Sequence, residues 1–445
     1  MIKKLFLIAT ACLFIFQNCD AQDTLHDKLP AQWSLDNCIE YAKANNISVN
    51  TLRLDMRSSE QDLLQAKASR LPSASGSVSQ SLVNSKNTDP VVGGLQTQAN
   101  FSSSYSINSS LTVYNAGYVN NDIQSKRLSL ESANLSVKEA ENNITLTVTQ
   151  AYLNILLARE NIVYLEDLLA TSQAQLKQGQ QRFDAGSLSR KELVQLQAQT
   201  ANDRYNLISA QNDYRLNTVT LKQVLQLPSS YNFQIALSDT VTIENAFPAL
   251  PEVQNVAQQL RPEIQNSHLA LQIANIELDK IKAATKPTVS LGATLSTGYS
   301  DNQTSKYLSQ LGNNFYQTLG LSVSIPIYSR RINKTNIAKS KIQIDQAKLS
   351  LLNTQTELNQ QVEQAYINLL NARAKYEAAT AQAIASEESY KITNEQLNLG
   401  AVNLVEMQQQ KNLFIQAKQA LLQAKYTAAL NYKIYQFYAG KPITQ

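Results

Sequence analysis

The sequence predicts a mixed fold. A long antiparallel α-helical (coiled-coil) barrel runs on from a transmembrane β-barrel, with four strands per chain, twelve in a trimer, and one structural unit used twice. Three observations predict it. Glycine and proline are absent from runs far longer than a globular helix. A block of the first half of the sequence recurs in the second half. Two short segments in each block alternate apolar and hydroxyl side chains, and the chain opens with an export signal.

The helices come first. Residues 118–178, 189–227, 329–399 and 401–439 contain neither Gly nor Pro. Breakers gather instead at 72–94, at Gly179 and Gly186, at 228–262, at 287–326 and at Gly400. Within the first run, Ile144, Val148, Ala151, Ile155, Ala158, Ile162, Leu165, Leu169, Ser172 and Leu176 step by four and three in turn. This is a heptad seam, and its mismatch with 3.6 residues per turn implies supercoiling against a neighbour. A helix of about 60 residues at ~1.5 Å per residue is roughly 90 Å long. Globular helices average about a dozen residues.

The seam is then repeated at one constant offset. The equivalent positions in the second half are Leu358, Val362, Ala365, Leu369, Ala372, Tyr376, Ala379, Ala383, Ser386 and Tyr390. They too are apolar or small, apart from a Ser in each copy and the tyrosine hydroxyls. Gln150-Ala151-Tyr152-Leu153-Asn154 matches Gln364-Ala365-Tyr366-Ile367-Asn368. Gly186 pairs with Gly400, Glu192 with Glu406 and Pro228 with Pro442. One unit has been duplicated.

The strands follow from a change of period. After Pro72 the odd positions from Ser73 to Ser81 are all Ser, while Ala74, Gly76, Val78 and Leu82 lie between or beyond them. From Asn100, Phe101, Tyr105, Ile107, Leu111 and Val113 alternate with Ser102, Ser104, Ser106, Asn108 and Ser110. The second unit repeats this with Val289, Leu291 and Leu295, and again with Leu319, Leu321, Val323, Ile325 and Ile327. One apolar and one hydroxyl face over about ten residues is the pattern of a membrane barrel strand. A soluble half-buried sheet alternates in the same way, and the export signal favours the barrel. Polar hairpin tips are expected at 84–98 and 301–314. Four strands cannot close alone, and an open edge cannot face lipid because its N–H and C=O groups would go unsatisfied. Two or three chains must share the barrel. Twelve strands leave an open lumen, whereas about eight are filled by side chains, so three chains are preferred.

Export is read from Lys3 and Lys4, an apolar stretch at 5–16 and the cleavage-site residues Cys19-Asp20-Ala21. Phe16-Gln17-Asn18 suits lipid attachment at Cys19 poorly, and lipidation is left open. No later stretch supplies the roughly 20 apolar residues of a membrane helix. The expected organisation is a signal peptide at 1–21 and an N-terminal segment with a first short helix at 22–49. The first repeat occupies 50–228, with a helix, a β-hairpin near 72–114 and a long helix pair near 117–227. An inter-repeat equatorial segment fills 229–264. The second repeat, 265–442, holds a helix, a hairpin near 287–328 and a helix pair near 330–439.

Counting excludes several function classes. Cys38 is the one cysteine beyond the signal, and His26 and His268 are the only histidines. Metal clusters, His-based triads, a disulfide framework and a cofactor site are not expected. The net charge is +4, and Lys and Arg are dispersed, which gives no footprint for nucleic acid.

Certain residues carry a family resemblance. Gln181-Arg182-Phe183-Asp184-Ala185-Gly186-Ser187-Leu188, followed by Glu192-Leu193, resembles the periplasmic tip of TolC-like outer-membrane efflux proteins. Gln150-Ala151-Tyr152-Leu153-Asn154 resembles the helix leading to that tip, and Trp33-Ser34-Leu35-Asp36-Asn37-Cys38-Ile39 the first helix of the mature chain. The resemblance spans nearly the whole sequence beyond the signal.

It implies a homotrimer in outer-membrane lipid that extends into the periplasm. It also implies a periplasmic membrane-fusion adaptor and an inner-membrane pump of RND or ABC type, serving efflux or type I secretion. Members are conduits, not enzymes. The implied adaptor contacts are Ala185, Gly186, Ser187 and Leu188, together with Leu399, Gly400, Ala401 and Val402. The implied acidic ring at the mouth uses Glu192 and Glu406, while Gln409 stands where some relatives place a second acidic ring. Like-charge repulsion within such a ring would raise carboxylate pKa values. The competing reading is that two glutamates near helix starts only favour the helix dipole. The Tyr and Arg that latch some relatives are Leu397 and Val402 here, so closure by apolar contacts among Leu399, Val402 and Leu404 is expected. The main alternative function is a trimeric surface-displayed coiled coil or adhesin. The duplicated strand–helix order argues against it.

Overall fold

The computed structural model describes residues 30, 32–88, 95–236 and 246–443. The expected signal at 1–21 lies outside the described residues. The elements are α1 (Leu35–Asn45), α2 (Ile47–Ala68), β1 (Ser73–Thr88), β2 (Leu95–Tyr114), α3 (Tyr118–Asp184), α4 (Arg190–Val224), α5 (Leu250–Leu260), α6 (Pro262–Ala283), β3 (Thr288–Ser300), α7 (Tyr307–Asn313), β4 (Tyr316–Ser324), α8 (Ile332–Asn398) and α9 (Leu404–Tyr438).

The duplication is visible element by element. The bounds of α8 and α9 are those of α3 and α4 displaced by the same offset that takes Gly186 to Gly400. The correspondence reaches back to the first short helices, because α5 and α6 begin and end one position beyond that offset from α1 and α2. Sequence identity hides that pairing, since Leu35-Asp36-Asn37 and Leu250-Pro251-Glu252 share a helix start but few residues.

Each long helix has 67 residues and each partner 35. At ~1.5 Å per residue, α3 and α8 are each roughly 100 Å long. Toward one end α2, α3, α6 and α8 lie side by side. Toward the other, α3 packs along α4, α8 along α9, and α9 also against α3. All twenty seam positions named above are buried or half-buried. Between the two ends sits a girdle of apolar packing. Trp33, fully buried, stacks on Phe233 and donates from Nε1 to the Tyr231 hydroxyl at 3.0 Å. In the second unit Val253, Ala257 and Ile264 pack against Leu358, Val362 and Tyr435.

Gly179, expected among the breakers, is helical, and α3 continues through it to Asp184. Its value is space. A Cβ there would run into Leu196 Cδ1, so glycine leaves room for that side chain where α4 packs on α3.

Both strand-to-helix junctions use two successive left-handed residues, Ala116 and Gly117 in the first unit and Arg330 and Arg331 in the second. At Arg331, φ is +69°, where an L-residue costs about 1–2 kcal/mol. Glycine removes that strain and loses only about 0.5–1 kcal/mol to its greater freedom when unfolded. Arg331→Gly is therefore expected to stabilise the chain by up to about 1 kcal/mol. Thermal unfolding of the helical circular dichroism signal in detergent checks this, and a lowered midpoint would contradict it.

The four strands form one antiparallel sheet in the order β1-β2-β3-β4. The register sorts its faces. Ser77 pairs with Ser106 and Ser106 with Ser296, and the Ser77 and Ser106 hydroxyls are 2.7 Å apart. On the other face Ile107 meets Leu295, Leu291 meets both Leu111 and Leu321, and Val289 meets Val323. Within a single chain this apolar face is uncovered, with Val78, Leu82, Leu319 and Leu321 all at least 67% exposed. A bulge between Thr112 and Tyr114 lies just before the helix junction. The outer edges of β1 and β4 have no partner strand among the described residues.

The two hairpins differ. β1 and β2 stay paired as far as Thr88↔Leu95, so the first polar tip is shorter than 84–98. β3 leaves β2 at Ser102↔Ser300, beyond which β1 and β2 continue as a two-stranded ribbon. The second connection contains the short helix α7. It is held by the buried Gln310, whose Nε2 donates to Ser300 O at 3.0 Å and Ser305 O at 2.8 Å, while its Oε1 accepts from Ser300 N at 2.9 Å. β4 ends at Ser324, ahead of Pro326, so Ile325 and Ile327 fall outside the strand.

Candidate functional site

The two long hairpins turn at the same end of the molecule, and the turns are built alike. At the first, Ala185 ends α3 and Gly186 takes φ +74°. The Ser187 N–H then donates back to Arg182 O at 2.8 Å and the Gly186 N–H to Phe183 O at 2.9 Å. At the second, Gly400 takes φ +73°, and the Ala401 N–H donates to Gln396 O at 2.9 Å. This is the Schellman arrangement, in which a left-handed glycine lets the last helical carbonyls find donors. Ala185, Gly186, Ser187, Leu399, Gly400 and Ala401 are exposed, whereas Leu188 and Val402 are half-buried.

A groove of about 500 Å³ runs between the two turns. Its walls bring together Leu188 and Glu192 from one hairpin with Leu397, Gly400 and Val402 from the other. Glu406 and Gln409 are exposed on α9. Leu404 is buried against Leu196 and Met407, so it belongs to the packing inside one chain and is not free to close a mouth.

Glu192 serves its own helix. Its carboxylate accepts from Ser189 N at 2.9 Å, and the Ser189 Oγ accepts from Glu192 N at 3.2 Å, which makes a reciprocal capping box. The hydrogen bonds from Ser189 hold the Glu192 carboxyl below its usual range. Within one chain the glutamate thus does what the helix-dipole reading requires. Glu406 differs: its N–H donates to Asn403 Oδ1 at 3.0 Å, with Asn403 as the cap.

Behind the tip lies a cluster that sequence reasoning missed. Lys411 of α9 and Asp203 of α4 are both fully buried, with Lys411 Nζ 2.9 Å from Asp203 Oδ2. Ser172 of α3 is hydrogen-bonded to both. Asp203 Oδ1 also accepts from Gln199 Nε2 at 2.8 Å. Further along, Lys425 Nζ and the Tyr426 hydroxyl donate to Glu160 Oε2 at 2.9 and 2.7 Å. A signal for the cluster existed. Ser172 interrupts an apolar ladder, and Lys411 follows Leu404 and Met407 at the three-four spacing of a buried face.

The family described as "Outer membrane efflux protein" matches residues 38–225 and 253–433. The chain belongs to this family. As an outer membrane efflux protein it is a passive exit channel of the outer membrane, not an enzyme. Its strands form the membrane part and its helices extend into the periplasm. The outer membrane efflux protein BepC of Brucella suis is 22% identical over 397 residues, covering 88% of this chain and 82% of BepC. The outer membrane protein TolC of Escherichia coli is 22% identical over 303 residues, covering 65% of this chain and 60% of TolC. A crystal structure of CusC superposes with a TM-score of 0.77 at 18% identity, covering 92% of this chain and 93% of that one. No helix among the described residues of this efflux protein is long and apolar enough to cross a membrane.

Proposed function

We propose that three copies of this chain join edge to edge into a twelve-stranded barrel and a continuous helical tube. The tube passes substrates that an inner-membrane pump, of RND or ABC type, delivers through a periplasmic adaptor. The observation that carries this reading is the sheet itself, with one apolar face and two edges that have no partner strand among the described residues. In lipid those edges need strands from neighbouring copies. The helices support the same arrangement. Ile47, Leu54, Leu64 and Leu71 lie uncovered on or just beyond α2 at one side of the helical layer, and Ile342, Leu349 and Leu352 on α8 at the other. The test is native mass in detergent after extraction from outer membranes. A three-chain particle is expected, and a soluble monomer would overturn the reading.

The exposed turns and the groove between them supply the adaptor surface in this proposal. Gly186, Ser187, Leu399 and Ala401 stand free at the end of the tube, and Leu188 and Val402 offer apolar footing beside them.

Glu192 and Glu406 form the charged ring of the mouth, six carboxylates in three chains. Replacing both with Gln is expected to reduce the cation preference of conductance in planar bilayers at neutral pH, and unchanged selectivity would remove the ring. The pH dependence has a defined sign. The folded-state pKa of Glu192 is depressed from the usual 4.5, so its charge outlasts that of an ordinary glutamate on acidification. Its stabilising contribution is complete above the unfolded pKa and is lost as pH falls through the folded one. The share of the cation preference that Glu192 carries should therefore persist to lower pH in the natural chain than in a Ser189→Ala variant, which lacks the capping hydroxyl.

A further inference from the structure

The duplication copied the helices but not the chemistry of the seam between the two hairpins. At the offset that pairs Gly186 with Gly400, Asp203 on α4 corresponds to Ala417 on α9, which is also fully buried. Lys411 corresponds in the other direction to Gln197. The second ion pair behaves alike, with Glu160 matched by Ala374 and Lys425 by Gln211. Both pairs join α9 to the first hairpin of the same chain. In a three-chain tube the equivalent seam lies between α4 of one chain and α8–α9 of the next, and neither pair exists there.

The surroundings decide what the buried pair does. Toward the tip it is bounded by Leu196 and Met407, and toward the middle by Leu165, Leu168, Ala210 and Ile415. Complete separation of the hairpins would let water reach both charges. A slide of one helix along the other would not. It would carry an ammonium or a carboxylate out of its hydrogen bonds and into apolar packing, where an unpaired charge is least tolerated. The pair therefore resists shear far more sharply than neutral packing does. A polar group at a buried seam position is a known means of fixing register. At the equivalent positions between chains, a Gln and an Ala set no such penalty.

We infer that Asp203 and Lys411 couple the two hairpins of one chain into a single body, and that sliding at the periplasmic end is confined to the seams between chains. The tube then changes its bore with three moving parts, not six. Ser172 lies fourteen residues from Gly186, so the coupling acts roughly 20 Å behind the tip. This inference rests on the three-chain tube proposed above.

Spin-label distances in the assembled protein test it, with Cys38→Ala as background. Arg204→Cys on α4 and Asn412→Cys on α9 are exposed positions flanking the buried pair. Arg204→Cys alone reports only distances between chains. An absence of dipolar coupling there would mean that the three-chain reading has failed, separately from this inference. Arg204→Cys with Asn412→Cys, diluted into unlabelled chains, reports the distance within one chain. The within-chain distribution is expected to be about half as wide as the between-chain one, since domain shear is small sliding of packed helices. With Asp203→Leu and Lys411→Met added, the apolar pair keeps the fold but loses the register, and the within-chain distribution should widen to match. A within-chain distribution as wide as the between-chain one, or one unchanged by the double substitution, would overturn the inference.

Discussion

Lys411→Met is expected to lower the stability of the folded chain by about 3–5 kcal/mol, because it leaves the Asp203 carboxylate buried without its cation. Among the described residues no other cation is hydrogen-bonded to Asp203. Asp203 retains only Ser172 and the Gln199 side-chain amide as donors, both uncharged. The neighbouring Tyr164 hydroxyl is buried without a partner, and burial followed by the Asp203 charge pushes its pKa well up. Removing both charges has a different outcome. Asp203→Leu with Lys411→Met leaves an apolar seam continuous with Leu168, Leu196 and Met407. It should be neutral, or more stable than the natural chain by about 1–4 kcal/mol. Urea unfolding of the helical signal in detergent, compared by midpoints under one set of conditions, separates the three proteins. The account fails if the single variant matches the natural chain or the double variant is as weak as the single one. A gain in the double variant would also say what the pair is for: register, which a midpoint does not measure.

Ile107→Arg should prevent productive insertion into lipid, whereas Ser106→Arg, one residue away, should not. Ile107 lies on the central strand β2, on the face shared with Leu295, Leu291 and Leu321. An arginine on the lipid face near the bilayer midplane costs about 2–4 kcal/mol. Ser106 points the other way, between Ser77 and Ser296, toward a wet lumen where the guanidinium keeps its water. The fraction of protein that becomes protease-resistant in lipid vesicles reads the difference. Equal insertion of the two variants would contradict the assignment of faces.

The long helices and the alternating strands were legible because each follows from one period sustained over many residues. A breaker-free heptad ladder at Ile144 to Leu176 and a Ser row from Ser73 to Ser81 leave little choice of fold. What escaped reading was set by contact. Gly179 looked like punctuation, but it is a place where Leu196 needs room. Helix α7 is only seven residues long and depends on Gln310 binding the loop before it, a tertiary arrangement with no periodic trace. At the tip, the left-handed glycines could be anticipated at Gly186 and Gly400, because a tight reversal between helices favours glycine. The division of labour between Glu192 and Glu406 was also legible and went unread: Ser189 stands three residues before Glu192 and Asn403 three before Glu406, and only Ser189 forms a reciprocal box.

The unequal hairpins have a further meaning. β1 and β2 outrun β3 and β4 at the end away from the helices, from Leu82↔Phe101 to Thr88↔Leu95. Among the described residues no other strand pairs with this ribbon, so its sequence answers to fewer constraints than that of the four-stranded sheet. It is also the part of the chain that the world outside the cell meets first. The same freedom makes the ribbon a natural position for an epitope tag, since an inserted peptide would be displayed on living cells without entering the barrel or the tube.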